Sequence, residues 1–308
     1  MKYFENQSTK KQERKKNILQ AVSTLITNAN IKGFWTGKIF TGKTKTVCVP
    51  GLNCYSCPGA IGSCPIGSLQ AVIGSKKFSM SYYVFGLIIL IGALFGRLVC
   101  GLMCPFGFVQ DLLYKIPTKK LKVPRKIDQG LRYAKYLILF VFVILLPMLL
   151  TNPFGLGAPY FCKLICPSGT LGGALPLLIK NKELRSTIGV LFFWKLSILI
   201  VIVLLSIFTY RPFCKYICPL GALYSFFNKI GFYKMEFHNE KCVGCKLCER
   251  ACKMDIDVRK TPNSLECIRC GACTSACSHE ALTTSFAGFA GLQKKKSELD
   301  GRGVENVE

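Results

Sequence analysis

Two runs of cysteine near the C-terminus constrain this chain more than any other feature. Cys242-x2-Cys245-x2-Cys248-x3-Cys252 is followed by Cys267-x2-Cys270-x2-Cys273-x3-Cys277. Eight thiols in that double pattern suit two [4Fe–4S] cubanes, each taking three cysteines from one run and the fourth from the other. The first set is then Cys242, Cys245, Cys248 and Cys277, and the second Cys267, Cys270, Cys273 and Cys252. Zinc also takes C-x2-C pairs, but it closes with two pairs rather than with triplets and a crossed fourth ligand. Eighteen cysteines in 308 residues could suggest a disulfide scaffold, but those are small secreted chains. Metal-ligand spacing points instead to reduced thiols loaded in the cytoplasm.

The rest of the chain is too apolar for an ordinary soluble protein, with 50% hydrophobic residues and a mean hydropathy of +0.34. Three stretches read as membrane spans: Phe78 to Gly96, Tyr136 to Leu150 running on to Tyr160, and Ile188 to Tyr210. The third carries one charge, Lys195, near its start, where the stem can snorkel to the headgroups. Gly92-x3-Gly96 would admit a close helix neighbour. Ile18 to Ile31 follows a basic N-terminus and is short for a span, about 21 Å long. If that terminus and the cysteine block are both cytoplasmic, the number of crossings is even, so this segment is expected as a fourth span. Leu171 to Ile179 is too short to cross and contains Pro176, so it reads as a re-entrant half-helix.

The formal charge of +25 would invite a nucleic-acid reading in a soluble protein, but no nucleic-acid motif is present. Basic loops on anionic lipid account for it, with Lys115 to Lys135 on the inner side. The same field would attract an acidic redox partner protein. Gly37 to Thr44 fits G-x4-G-K-[ST], yet no strand precedes it and no helix follows, so nucleotide binding is not expected. His238 and His279 flank the cysteine block and read as surface residues, since thiols already complete the ligand sets.

An internal repeat runs through the apolar part. Arg97-x2-Cys100-x3-Cys104-Pro-x-Gly107 matches Arg211-x2-Cys214-x3-Cys218-Pro-x-Gly221. Cys162-x3-Cys166-Pro-x-Gly169 is a copy without the arginine. Cys64-Pro-x-Gly67 is a degenerate copy with Ala60 in the first cysteine's place, and Cys48, Cys54 and Cys57 lie near it. Proline favours the first helical position, so each second cysteine should sit at a helix N-terminus, where free N–H groups favour a thiolate or an anionic cluster. Arg97 and Arg211 add positive charge beside the same sites. A lone buried cysteine packs like a hydrophobe, but three copies of one frame point to ligand or redox work. Topology divides them: Cys100, Cys104, Cys214 and Cys218 at the cytoplasmic face, and Cys162, Cys166, Cys48, Cys54, Cys57 and Cys64 at the outer face. One or two further iron–sulfur clusters could sit there.

Together these residues resemble the polytopic membrane iron–sulfur proteins of the NapH/NosR/CcoG type. The resemblance covers Ile18 to about Leu282. It implies electron transfer between a membrane donor, often quinol, and a redox enzyme, with the ferredoxin clusters in the cytoplasm. The third C-x3-C-P, the Cys48 to Cys64 block, and Lys253 and Ser278 in place of prolines after Cys252 and Cys277 all depart from the pattern.

The expected fold is mainly α: a polytopic helical membrane domain of about four spans (1–232), then a C-terminal α+β 2[4Fe–4S] ferredoxin-like domain (233–284) and a polar tail (285–308). The expected function is electron transfer in the cytoplasmic membrane, as a carrier or oxidoreductase subunit, with lipid, a redox partner protein and quinone as candidate partners. A metal-ion or dithiol reductase using the C-x3-C pairs, and a redox sensor or maturation factor, are the alternatives.

Overall fold

A computed structural model describes residues 5–75, 82–121, 123–153 and 155–286. Four helices carry most of the apolar surface: Gln7–Thr27, Tyr82–Phe95, Arg125–Leu149 and Val190–Phe208. Two of them, Arg125–Leu149 and Val190–Phe208, are long and apolar enough to cross a membrane. Their apolar windows are only 22% and 17% buried inside the protein, unlike the core helix of a soluble domain. Side chains such as Leu137, Phe140, Ile200, Val201 and Leu204 point outward.

The N-terminal segment differs from the expected short span. Its helix starts at Gln7 after an Asn6 capping box, in which the Asn6 side chain accepts from the Thr9 N–H and the Thr9 hydroxyl accepts from the Asn6 N–H. It buries its polar residues Lys16, Gln20 and Ser23 and exposes Ile18, Leu19, Val22, Leu25 and Ile26. The expected apolar run is divided, ending at Thr27 and resuming in the short helix Ile31–Thr36. Gly37, in the left-handed region, caps that helix, and Lys43–Thr46 is a single 3-10 turn, so the apparent phosphate loop follows a helix rather than a strand and opens no α-helix.

The second expected span, Phe78 to Gly96, is seen from Tyr82, its first residues lying outside the described ones. Its Gly92 lies against the Phe227 ring, so close helix approach there is intramolecular. The long helix begins at Arg125, before its apolar stretch, because its first turns pack beneath the cysteine-rich lobe. Within it, residues Leu139–Leu145 widen to π geometry just before Pro147. The same happens at Thr170–Ala174 before Pro176. A helix-interior proline lacks an N–H and crowds the carbonyl four residues back, and the wider turn relieves both.

The cysteine-rich lobe is an antiparallel pair, β1 (Tyr233–Phe237) and β2 (Leu282–Phe286), in register from Tyr233 with Phe286 to Phe237 with Leu282. Two short helices, Leu247–Ala251 and Ala272–Ala276, stand between them. Of the expected polar tail, all but its first two residues lies outside the described ones.

Candidate metal centres

The two cysteine runs fold as repeats 25 residues apart. Left-handed residues recur at equivalent places in both: Gly244 and Arg269, Lys246 and Gly271, Asp255 and Glu280. Four of these six are not glycine, so the backbone is held in this conformation against its preference. Such turns aim successive N–H groups inward, a concavity that suits anions. The Arg269 N–H, for example, donates to Cys267 Sγ at 3.4 Å.

The cysteines meet in crossed sets. Cys242, Cys245, Cys248 and Cys277 line one cavity, with Arg259 and His279 at its edge. Cys252, Cys267, Cys270 and Cys273 line another, walled by Met235, Ile256 and Ile268 and closed by Lys16 and Tyr210. The first set is near solvent, with Cys245 exposed. The second lies against the helical part, where Gln12 Nε2 donates to the Cys270 carbonyl at 3.4 Å. Burial pushes the Cys252 thiol up to about 12 and the Cys267 thiol up to about 11, and only a coordinating cation would hold them as thiolates.

Among the described residues no three His, Cys, Asp or Glu side chains converge on the position of a single metal ion. His238 bonds the Thr283 hydroxyl at 2.9 Å and takes no part in either set.

The Cys-Pro frames share one geometry. Cys64, Cys104, Cys166 and Cys218 are each an extended residue capping a helix that opens with proline, with φ of −74°, −78°, −64° and −67°. The short helices before three of them end first, so C-x3-C is a helix–break–helix corner rather than one continuous turn. The Gly221 N–H donates to Cys218 Sγ at 3.4 Å.

Cys100, Cys104, Cys214 and Cys218 come together across the two arginine-bearing copies, all buried and within electrostatic reach of one another. The arginines cross over. Arg97 donates to the Cys214 carbonyl at 3.2 Å, and Arg211 donates to the Cys100 carbonyl at 2.6 Å. Each frame's glycine makes room for the other frame's arginine. A Cβ at Gly221 would stand 3.4 Å from Arg97, and one at Gly107 would stand 3.4 Å from Arg211. Both arginines are fully buried, and Arg97 Nε has no hydrogen-bond partner. A buried, unspent donor beside four thiols fits an anionic thiolate-held cluster. These four, with Arg97 and Arg211 around them, form the inner site.

Several residues that sequence reasoning missed hold this site. Asp111 takes Arg211 at 2.6 Å and Lys16 at 2.7 Å. Glu266 takes Arg97 at 3.0 Å and Lys135 at 2.5 Å, locking the cysteine-rich lobe onto the helices. Asn228 donates to the carbonyls of Ser264 and Cys267. Gln110 Nε2 donates to Cys214 Sγ at 3.1 Å while its oxygen accepts from the Phe213 N–H at 3.2 Å.

Of the remaining cysteines, Cys54, Cys64, Cys162 and Cys166 line a further cavity. Cys48 and Cys57 do not line it; their thiols meet the Ser68 hydroxyl at 3.4 Å and the Asn28 side-chain oxygen at 3.6 Å. Lys195, expected to snorkel, lines the Cys54 cavity instead.

A family model described as a 4Fe-4S binding domain matches residues 80–124 and 191–237, the two segments that carry the inner site. An uncharacterized protein of Methanocaldococcus jannaschii is 35% identical over 206 residues, 65% of this chain and 76% of that protein. The regulatory protein NosR of Pseudomonas aeruginosa is 28% identical over 171 residues, 52% of this chain and 21% of NosR. The chain belongs to the NosR/NapH-type family of 4Fe–4S ferredoxin-type proteins. The methylamine utilization ferredoxin-type protein MauN of Methylobacillus flagellatus is a further relative, 26% identical over 192 residues, 59% of this chain and 54% of MauN. No solved structure matches. The family match falls on the arginine-bearing Cys-Pro frames, not on the double cysteine run.

Proposed function

We propose that this protein is a multi-pass membrane electron-transfer protein, passing electrons between a cytoplasmic or quinol donor and a partner redox enzyme. When bound, a cubane supplies one-electron storage at a thiolate-held position. The chain supplies the order of the positions. The Cys242 set faces solvent, the Cys252 set follows it inward, and the inner site lies beneath. The single observation that carries the reading is the join between the last two. Gly101, within the first Cys-Pro frame, lies against the backbone of Ile268, within the second cysteine run. Arg97, beside the inner site, donates to the Leu265 carbonyl at 2.9 Å. Tyr210 lines the Cys252 set and immediately precedes Arg211.

The outward apolar faces of the four main helices support a membrane setting with four crossings. The second half of the N-terminal helix, with Lys16, Gln20 and Ser23 inside and Ile18, Leu19, Val22, Leu25 and Ile26 outside, supports it as well. The burial of five of the six C-x3-C thiols, Cys162 alone being half-buried, disfavours a dithiol reductase.

The test is iron and acid-labile sulfide analysis with EPR on anaerobically purified protein. Cys100→Ser with Cys214→Ser should lose about four irons per chain and keep the ferredoxin-type signals. An unchanged iron content in that variant would overturn the inner site. Fast alkylation of Cys100 and Cys214 in iron-loaded protein would favour a dithiol reductase.

A further inference from the structure

The cavity lined by Cys54, Cys64, Cys162 and Cys166 repeats the plan of the inner site, and its four cysteines lie outside both segments that the family model matches. In each, two Cys-Pro frames face each other. At the inner site Gln110, six residues after Cys104, donates to Cys214 Sγ at 3.1 Å and accepts from the Phe213 N–H at 3.2 Å. At the outer cavity Gln70, six residues after Cys64, donates to Cys162 Sγ at 3.2 Å and accepts from the Phe161 N–H at 3.0 Å. Both glutamines are almost completely buried. The glutamine orients the first cysteine of the opposing frame in both places.

The degenerate frame has Ala60 where the inner site has Cys100, and Cys54 takes the missing thiol's part. A Cβ on Gly169 would stand 3.6 Å from Cys54 Sγ, which therefore points at the Cys166 frame. The arginines are also absent here, and a cation replaces them. Lys195 Nζ would stand 3.7 Å from the same Cβ, just where Gly221 and Gly107 receive Arg97 and Arg211 at the inner site. Four thiols and an orienting amide thus recur, with one thiol supplied from a new position and one lysine in place of the two arginines. Substitution of both together is what a retained function asks for, whereas a packing cavity would need neither.

We infer that Cys54, Cys64, Cys162 and Cys166 hold a fourth [4Fe–4S] cluster, with Gln70 and Lys195 as positioning residues. The inference rests on reading the inner site as a cluster site. Tyr224 is fully buried, with its hydroxyl donating to the Pro50 carbonyl at 3.1 Å, in the same core cluster as Cys64 and Cys166 of this cavity and Cys100, Cys104, Cys214 and Cys218 of the inner site.

The experiment compares full-length protein with Cys54→Ser/Cys162→Ser and with Cys100→Ser/Cys214→Ser, all loaded anaerobically. Wild type should hold about sixteen irons per chain, and each double variant about twelve. If the first variant keeps all its iron while the second loses about four, the outer site fails and the inner site stands. If neither loses iron, both fail. Loss of a single zinc from the first variant would overturn the cubane assignment. Lys195→Met keeps all four thiols and covers the case in which the double variant does not accumulate. It should move one EPR-monitored midpoint potential downward, because reduction loses a neighbouring positive charge, and leave the others in place. A wild-type count of about twelve irons with no potential moved by Lys195→Met would overturn the proposal.

Discussion

At the residue scale, the inner site is built on charge pairs that cannot reach water. Asp111 is 5% exposed and serves two cations, Arg211 and Lys16. Burial alone would raise its carboxyl, but Arg211 and then Lys16 hold it well below the usual carboxylate range. A depressed carboxyl contributes stability that is fully present above its unfolded value, about pH 4, and is lost as pH falls through the folded value. Thermal denaturation in detergent should therefore show no contribution from Asp111 titration between pH 5 and 8, and a loss in acid. Asp111→Asn leaves two buried cations facing an amide and should destabilise by about 3–5 kcal/mol. Asp257→Asn, at a pair whose lysine is 83% exposed, should change stability by less than about 1 kcal/mol. A similar loss from both variants would contradict the buried-network account.

At the element scale, the Cys-Pro frame is a corner with three fixed parts. The proline opens the second helix, the second cysteine caps it, and the glycine leaves space for the opposing arginine. Gly221→Val should displace Arg97 and cost about four irons per chain while the ferredoxin-type EPR signals persist. Gly130→Ala, on the helix Arg125–Leu149 with nothing near its Cβ, should leave both unchanged. Full iron in Gly221→Val would remove the glycine from the site. The sequence shows each corner, because Cys, Pro and Gly lie within a few residues of one another and their preferences are local. It does not show which corners face each other, since Arg97 and Cys214 are 117 residues apart and only the folded chain pairs them. Gln70 and Gln110 were legible in part, standing at the same offset from Cys64 and Cys104. Asp111 and Glu266 carried no local signal at all. Helix limits were hidden for another reason: the helices at Gln7 and Arg125 start in charged sequence that packs on the cysteine-rich lobe, so hydropathy alone starts them late.

At the scale of the whole molecule, the proposed path of clusters meets solvent at one end. Cys245 is exposed there, in a cavity edged by Lys241, Lys246 and Arg259. The chain as a whole carries 41 Lys and Arg against 16 Asp and Glu. On the proposed electron-transfer reading, a cationic rim around the most accessible thiol set would favour an acidic redox protein as the docking partner and steer its approach. Electrostatic steering weakens as salt shortens the screening length to about 8 Å at physiological strength and about 3 Å at 1 M. Stopped-flow reduction by an acidic flavoprotein or ferredoxin should therefore slow steeply between low salt and 1 M salt. Lys241→Glu with Lys246→Glu should slow it by about tenfold or more at low salt and flatten the salt dependence. Iron content should not change, because both lysine side chains are exposed and neither is one of the thiol ligands. Reduction by a small neutral reagent should be untouched by the same variant, which separates docking from the redox properties of the centre. A salt-independent rate in wild type would place the electron donor elsewhere, on the membrane side of the molecule.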